Sequence, residues 1–147
     1  MSLVSERRTV VARRRRARGF EHNQLGVTFY RSGALDLAIE RFELATRRAP
    51  WVSSYWLNLG VAFLDKGILG KAEAAIKRAL ELDNKSQSAY FHLAKLHEKR
   101  EDEAAAREAY EKAIELDPRT HLAQRARERL EEWHPRLLGM PNSGERS

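Results

Sequence analysis

Small and apolar residues return along this chain at a fixed interval. Leu25-Gly26 recurs as Leu59-Gly60 and again as Leu93-Ala94, each time after 34 residues. Ala38, Ala72 and Ala106 keep the same step, as do Phe42, Ile76 and Tyr110, and also Ala45, Ala79 and Ala113. Pro50 and Pro118 stand in register, with Asn84 between them. Internal self-similarity of this length marks a repeated supersecondary unit. The pattern predicts first helices near 19–32, 53–66 and 87–100 and second helices near 35–48, 69–82 and 103–116. Pro50, Pro118 and Asp83-Asn84 stop the second helices, while Ser86 and Thr120 are N-cap candidates. Residues 120–134 read as one further helix, with Leu122, Ala126, Leu130 and Trp133 on one face and Arg and Glu on the other.

Each column has a physical role. Gly26, Gly60 and Ala94 permit the first helix of a pair to approach the second, and Ala38, Ala72 and Ala106 supply the facing small surface. Phe42, Ile76 and Tyr110 are expected to fill the gap between neighbouring units. Gly33 and Gly67 sit between paired helices, where a left-handed residue ends the first helix at little cost. The third unit carries Glu101-Asp102 there, a departure expected to cause only local strain. In these columns and their 34-residue step the chain resembles the tetratricopeptide repeat family. The resemblance covers residues 19–118. It implies an all-α fold, a right-handed superhelical α-solenoid of three helix-turn-helix units (19–52, 53–86 and 87–119), with 120–134 as the cap that a solenoid end requires.

The resemblance also implies a concave surface lined by the first helices. The register puts Phe20, Asn23, Val27, Tyr30 and Arg31 there from the first unit. The second contributes Leu57, Asn58, Val61 and Leu64, with Ser54 and Asp65, and the third Phe91, Lys95 and Lys99, with Ser88, His92 and Glu98. Apolar side chains run down its middle, and exposed apolar patches of this kind mark interaction sites. The expected partner is another protein, an extended or helical peptide with aliphatic or aromatic anchors. Arg31, Lys95 and Lys99 at the rim favour acidic neighbours of those anchors. The opposing expectation is that the chain covers the stripe itself, with its N-terminal arm or with Leu137-Leu138. Self-assembly through a repeat end or the groove is a third. One subset of the family grips chaperone C-terminal carboxylates with Lys and Asn on the first unit, Asn on the second, and Lys and Arg on the third. The matching positions here are Asn23, Val27, Asn58, Ser88 and His92, and only Asn58 agrees, which argues against such a clamp.

Charge changes the picture at one end only. Seven arginines (Arg7, Arg8, Arg13, Arg14, Arg15, Arg16 and Arg18) and one glutamate fall within residues 1–18, accounting for the whole net charge of +6. The rest of the chain balances to neutrality, so the basic character belongs to an arm. An arm of this composition attracts nucleic-acid phosphates or anionic headgroups without sequence preference. If helical, Leu3, Val4, Val10 and Val11 would give it a thin apolar face. No aromatic residue interleaves the arginines, so base stacking is not indicated. Beyond 134, the Gly, Pro, Asn and Ser of residues 135–147 read as a flexible tail.

The chemistry of catalysis is not legible. There is no cysteine, hence no thiolate nucleophile, thiolate metal site or disulfide framework. No two of the five histidines stand four apart, and neither a Gly-rich phosphate loop nor a Gly-x-Ser-x-Gly elbow occurs. His22 shares its register with Trp56 and Tyr90, and His97 with Phe29 and Phe63, which makes both packing residues. No cofactor, no metal and no enzymatic activity are expected. No apolar run approaches the roughly 18–20 residues that cross a bilayer, and a cytoplasmic address fits best.

Overall fold

In a computed structural model, which describes residues 3–133, seven α-helices account for the repeat. They are α1 (Leu3–Arg31), α2 (Leu35–Arg48), α3 (Ser53–Lys66), α4 (Leu69–Leu82), α5 (Gln87–Lys99), α6 (Glu103–Leu116) and α7 (His121–Trp133). The boundaries meet the sequence expectation within a residue or two, except that α1 begins sixteen residues before the expected start at 19. The arm and the first repeat helix are one helix. The tail expected at 135–147 lies outside the described residues. Two compact units divide the chain at Asn84–Lys85, the first holding α1–α4 and the second α5–α7.

In the first unit the pairs α1/α2 and α3/α4 close through the two glycines. A Cβ on Gly26 would stand 2.5 Å from Cε1 of the Phe42 ring, and one on Gly60 2.7 Å from Ile76 Cγ1 and 3.2 Å from the Ala72 carbonyl oxygen. Phe42 and Ile76 therefore lie directly over the glycine of their own repeat, inside a helix pair. In the second unit Ala94 takes the same place and is wholly buried. Tyr110 there spans two boundaries: its ring meets Phe91 of its own repeat edge-on at 5.6 Å and Trp133 of α7 at 5.9 Å.

Two hydrogen bonds that sequence inspection missed repeat with the same 34-residue step. Ser53 Oγ donates to the Ala79 carbonyl (3.1 Å) in the first unit. Gln87 Nε2 donates to the Ala113 carbonyl (2.8 Å) in the second. Each ties the start of a first helix to the last turn of its partner, where the Ala79 carbonyl also accepts from the Asp83 amide at 2.9 Å. Because one is Ser and the other Gln, no residue-type column betrays them. The expected caps are present: Ser86 Oγ accepts from Ala89 N–H (3.2 Å) and Thr120 Oγ1 from Ala123 N–H (3.0 Å). Asp102 caps α6 as well, accepting from Ala105 N–H at 3.1 Å.

The three inter-helix turns share one geometry. The amides of Ala34, Ile68 and Asp102 reach back to the carbonyls of Phe29, Phe63 and His97, each at 2.9 Å. Each turn passes through a left-handed residue: Gly33 (φ 83°), Gly67 (φ 85°) and Glu101 (φ 58°). Packing thus forces the third turn into a shape that its residue disfavours, and this is the strain anticipated from the sequence. A side chain in this region costs about 1–2 kcal/mol, partly offset by the extra freedom glycine has when unfolded. Glu101→Gly should raise stability by about 0.5–1 kcal/mol, read as an upward shift in the thermal midpoint.

Candidate partner-binding faces

In the first unit the C-terminal half of α1 and α3 build one face together. Asn23, Val27 and Tyr30 follow one side of α1 at helical spacing, and Asn58, Val61 and Asp65 one side of α3. Two side-chain bridges join the helices. Asn58 Nδ2 donates to Asn23 Oδ1 (2.9 Å), and Tyr30 OH donates to the Asp65 carboxylate. Between these bridges stand Val27 and Val61, half-buried, with Leu57 half-buried a turn away. Phe20 is 56% exposed and Arg31 is exposed. Leu64, by contrast, is fully buried. It occupies the same repeat column as Tyr30 but belongs to the core, so it backs the face instead of presenting to it.

The Tyr30 phenol titrates far above its ordinary range, pushed up to about 12 by burial and then by the Asp65 hydrogen bond and charge. A folded-state value above the unfolded one adds stability that is complete below pH 10 and is lost as pH climbs towards 12. Tyr30→Phe should therefore be less stable than the parent near neutrality. The gap in thermal midpoint should close between pH 10 and 12, as phenolate and carboxylate come to face each other. A gap that stays constant to pH 12 would contradict this. His22 also behaves as a packing group: burial, then the charge of Arg41, lowers its pKa. Since a guanidinium only donates, its Nδ1 accepts from Arg41 Nη1 at 3.3 Å.

The second unit offers a different face. Phe91 is only 4% exposed, with the Arg125 guanidinium of α7 stacked 4.8 Å from its ring centre. The cap covers this residue, which removes it from the set open to a partner. Glu98 is also engaged, accepting from Tyr110 OH (2.7 Å) and from Arg129 Nε and Nη2 (2.9 and 3.1 Å). Lys95 lines a cleft of about 250 Å³ between α5 and α7, and Lys99 is exposed. Ser88 and His92 interact with each other, His92 Nδ1 lying 2.8 Å from the Ser88 carbonyl oxygen.

The arm arginines all lie on the exposed N-terminal half of α1. Among the described residues, no group of three or more His, Asp or Glu side chains could hold a metal ion. No helix among them is long and apolar enough to cross a membrane.

No curated protein sequence matches the chain. Solved structures do match in fold. The tetratricopeptide domain of Arabidopsis OM64 superposes with a TM-score of 0.75 at 21% identity, over 81% of this chain and 98% of that one. The TPR2B domain of yeast Sti1, in a complex with pHsp70, gives 0.72 at 20% identity over 80% and 94%. The Yersinia enterocolitica type III secretion chaperone SycD, in complex with a peptide of the translocator YopD, gives 0.74 at 21% identity over 80% and 92%. Tetratricopeptide repeat models match residues 23–87 and 87–120, together well over half of the chain. With the 34-residue columns, the glycine-closed helix pairs and the seventh helix, these matches show that the chain is an all-α solenoid belonging to the tetratricopeptide repeat family.

Proposed function

We propose that this chain is a non-enzymatic adaptor whose α1–α3 face holds a peptide or helix of another protein by apolar anchors. The observation that carries the reading is the state of that face. Its polar side chains pair with each other, Asn58 with Asn23 and Tyr30 with Asp65, while Phe20, Val27, Leu57 and Val61 retain exposed apolar surface. What such a face can offer a ligand is burial of side chains, at about 25 cal/mol per Å². Arg31 at its edge would favour an acidic residue beside the anchors. Lys95 and Lys99 of the second unit are proposed as a separate basic contact.

A carboxylate clamp is disfavoured because Val27 brings no polar group and one N–H of the Asn58 amide is taken by Asn23. The folds of the Sti1 and SycD domains, each solved with a protein or peptide partner, support a peptide-holding role. A cytoplasmic address belongs to the same proposal. The test is selection of binders from a displayed peptide library, followed by titration against Leu57→Asp/Val61→Asp. Two carboxylates placed in an apolar contact should weaken binding by about a hundredfold or more with helicity unchanged. Selected peptides that hold their affinity for the folded double variant would remove the α1–α3 face from the reading.

A further inference from the structure

The N-terminal half of α1 is exposed along its whole length, yet one side of it is shaped. Val4, Arg8, Val11 and Arg15 follow one another at steps of four and three, and the same stripe continues through Gly19, His22 and Gly26. From Gly19 onward that stripe is covered by α2 and its end: a Cβ on Gly19 would lie 3.1 Å from the Ala49 Cβ. Before Gly19, α2 has ended and the chain turns away through Pro50, whose carbonyl accepts from Trp56 Nε1 at 2.8 Å. Trp51, on that turn, is 51% exposed. With Val4, Arg7, Arg8, Val11, Ala12 and Arg15 it lines a cleft of about 590 Å³. The seat that α2 would fill, had it been longer, is open and lined by apolar and cationic side chains.

We infer that this seat takes an acidic amphipathic helix of another protein. Its apolar residues would pack on Val4, Val11 and Trp51, and its carboxylates would pair with Arg7, Arg8 and Arg15. Charge selects the occupant. The residues after Trp133 carry Arg136 and Arg146 against Glu145 alone, so the chain's own tail has the wrong sign, and so has a second copy of the arm. Nucleic acid would satisfy the guanidinium groups and leave Val4, Val11 and Trp51 without an apolar partner. A bilayer needs one continuous apolar face. Leu3 and Val10 instead stand about 100° around the helix from Val4 and Val11, with arginines between and beyond them. Helix in groove is a standard recognition mode, and bidentate pairing with carboxylates suits guanidinium groups.

The test uses the full chain and a fluorescent synthetic helix of about 14 residues, with leucines at helical spacing and glutamates on the flanks. A scrambled isomer of identical composition, a single-stranded oligonucleotide and phosphatidylserine vesicles are the competing probes. The expected result is patterned-peptide binding at least about tenfold tighter than that of the isomer. Trp51→Ser and Val11→Asp should each cut it by about tenfold or more, with unchanged far-UV circular dichroism of the free variants. Equal binding of the two isomers would mean that only charge is read and would overturn the proposal. Tighter binding to oligonucleotide or vesicles that Trp51→Ser leaves intact would also overturn it, as would concentration-dependent dimerisation blocked by the peptide, or no binding at all. Peptide binding that Leu57→Asp/Val61→Asp abolishes and Trp51→Ser leaves intact would place the helix on the α1–α3 face and would overturn it as well.

Discussion

Replacing Gly60 with alanine should destabilise the protein by about 1–2 kcal/mol, although alanine is the better helix former. In an exposed helix interior the exchange would gain nearly 1 kcal/mol. At Gly60 the new methyl would meet Ile76 Cγ1 at 2.7 Å and, more seriously, the backbone oxygen of Ala72 and nitrogen of Ile76 at 3.2 Å. Ile76 has no room to retreat, being fully buried, and α4 backbone atoms can yield only if the helix moves. Overpacking of this kind costs about 1–3 kcal/mol, which exceeds the gain in propensity. Gly60→Leu should reach the top of that range or pass it. Gly70 is the internal control: nothing lies within 4 Å of its would-be Cβ, so Gly70→Ala should be neutral to stabilising. Chemical denaturation of the three variants followed by circular dichroism decides the matter, and a stabilising Gly60→Ala would refute close approach as the reason for that glycine.

In the second unit Tyr110→Ala should cost about 3–5 kcal/mol, the range for removing a buried aromatic ring. The ring is 2% exposed and joins Phe91 to Trp133, so its loss opens a cavity between the third repeat and the cap together. Tyr110→Phe separates the ring from its hydroxyl. It keeps both ring contacts and gives up only the 2.7 Å bond to Glu98. Glu98 retains two hydrogen bonds from Arg129, so no carboxylate is stranded and the loss should be about 1 kcal/mol. A Tyr110→Ala variant no worse than Tyr110→Phe would show that the ring does not tie the cap to its repeat.

The repeat was legible because small and large side chains are forced at the same step: Gly26 needs Phe42 above it and Gly60 needs Ile76. Helix ends were legible from proline and turn chemistry. The face residues were harder, and one column shows why. Tyr30, Leu64 and Glu98 share a register position, yet Tyr30 bridges to Asp65, Leu64 is core and Glu98 holds Arg129. Periodicity assigns a direction along the helix, whereas burial depends on what the neighbouring helix brings. Phe91 illustrates the same limit, because α7 places Arg125 over it. The start of α1 was hidden for a different reason. Residues 3–18 carry only a thin apolar pattern, Leu3-Val4 and Val10-Val11 among arginines, and their helix follows from continuity with a turn already nucleated after Gly19.

That continuity makes α1 a protractor as well as a lever. Since the helix runs unbroken from Leu3 to Arg31, the compass bearing of each arm residue is set by the packing of Gly19 against Ala49. One residue inserted between them would swing everything upstream by about 100° and carry it about 1.5 Å along the axis. Val4 and Val11 would then point away from Trp51, and Ser5 and Ala12 would take their places. Seven residues would restore the bearing to within about 20°. Changes of length in this segment can preserve the seat beside Trp51 only in near-heptad strides, a constraint on insertions that its composition of repeated arginines does not reveal.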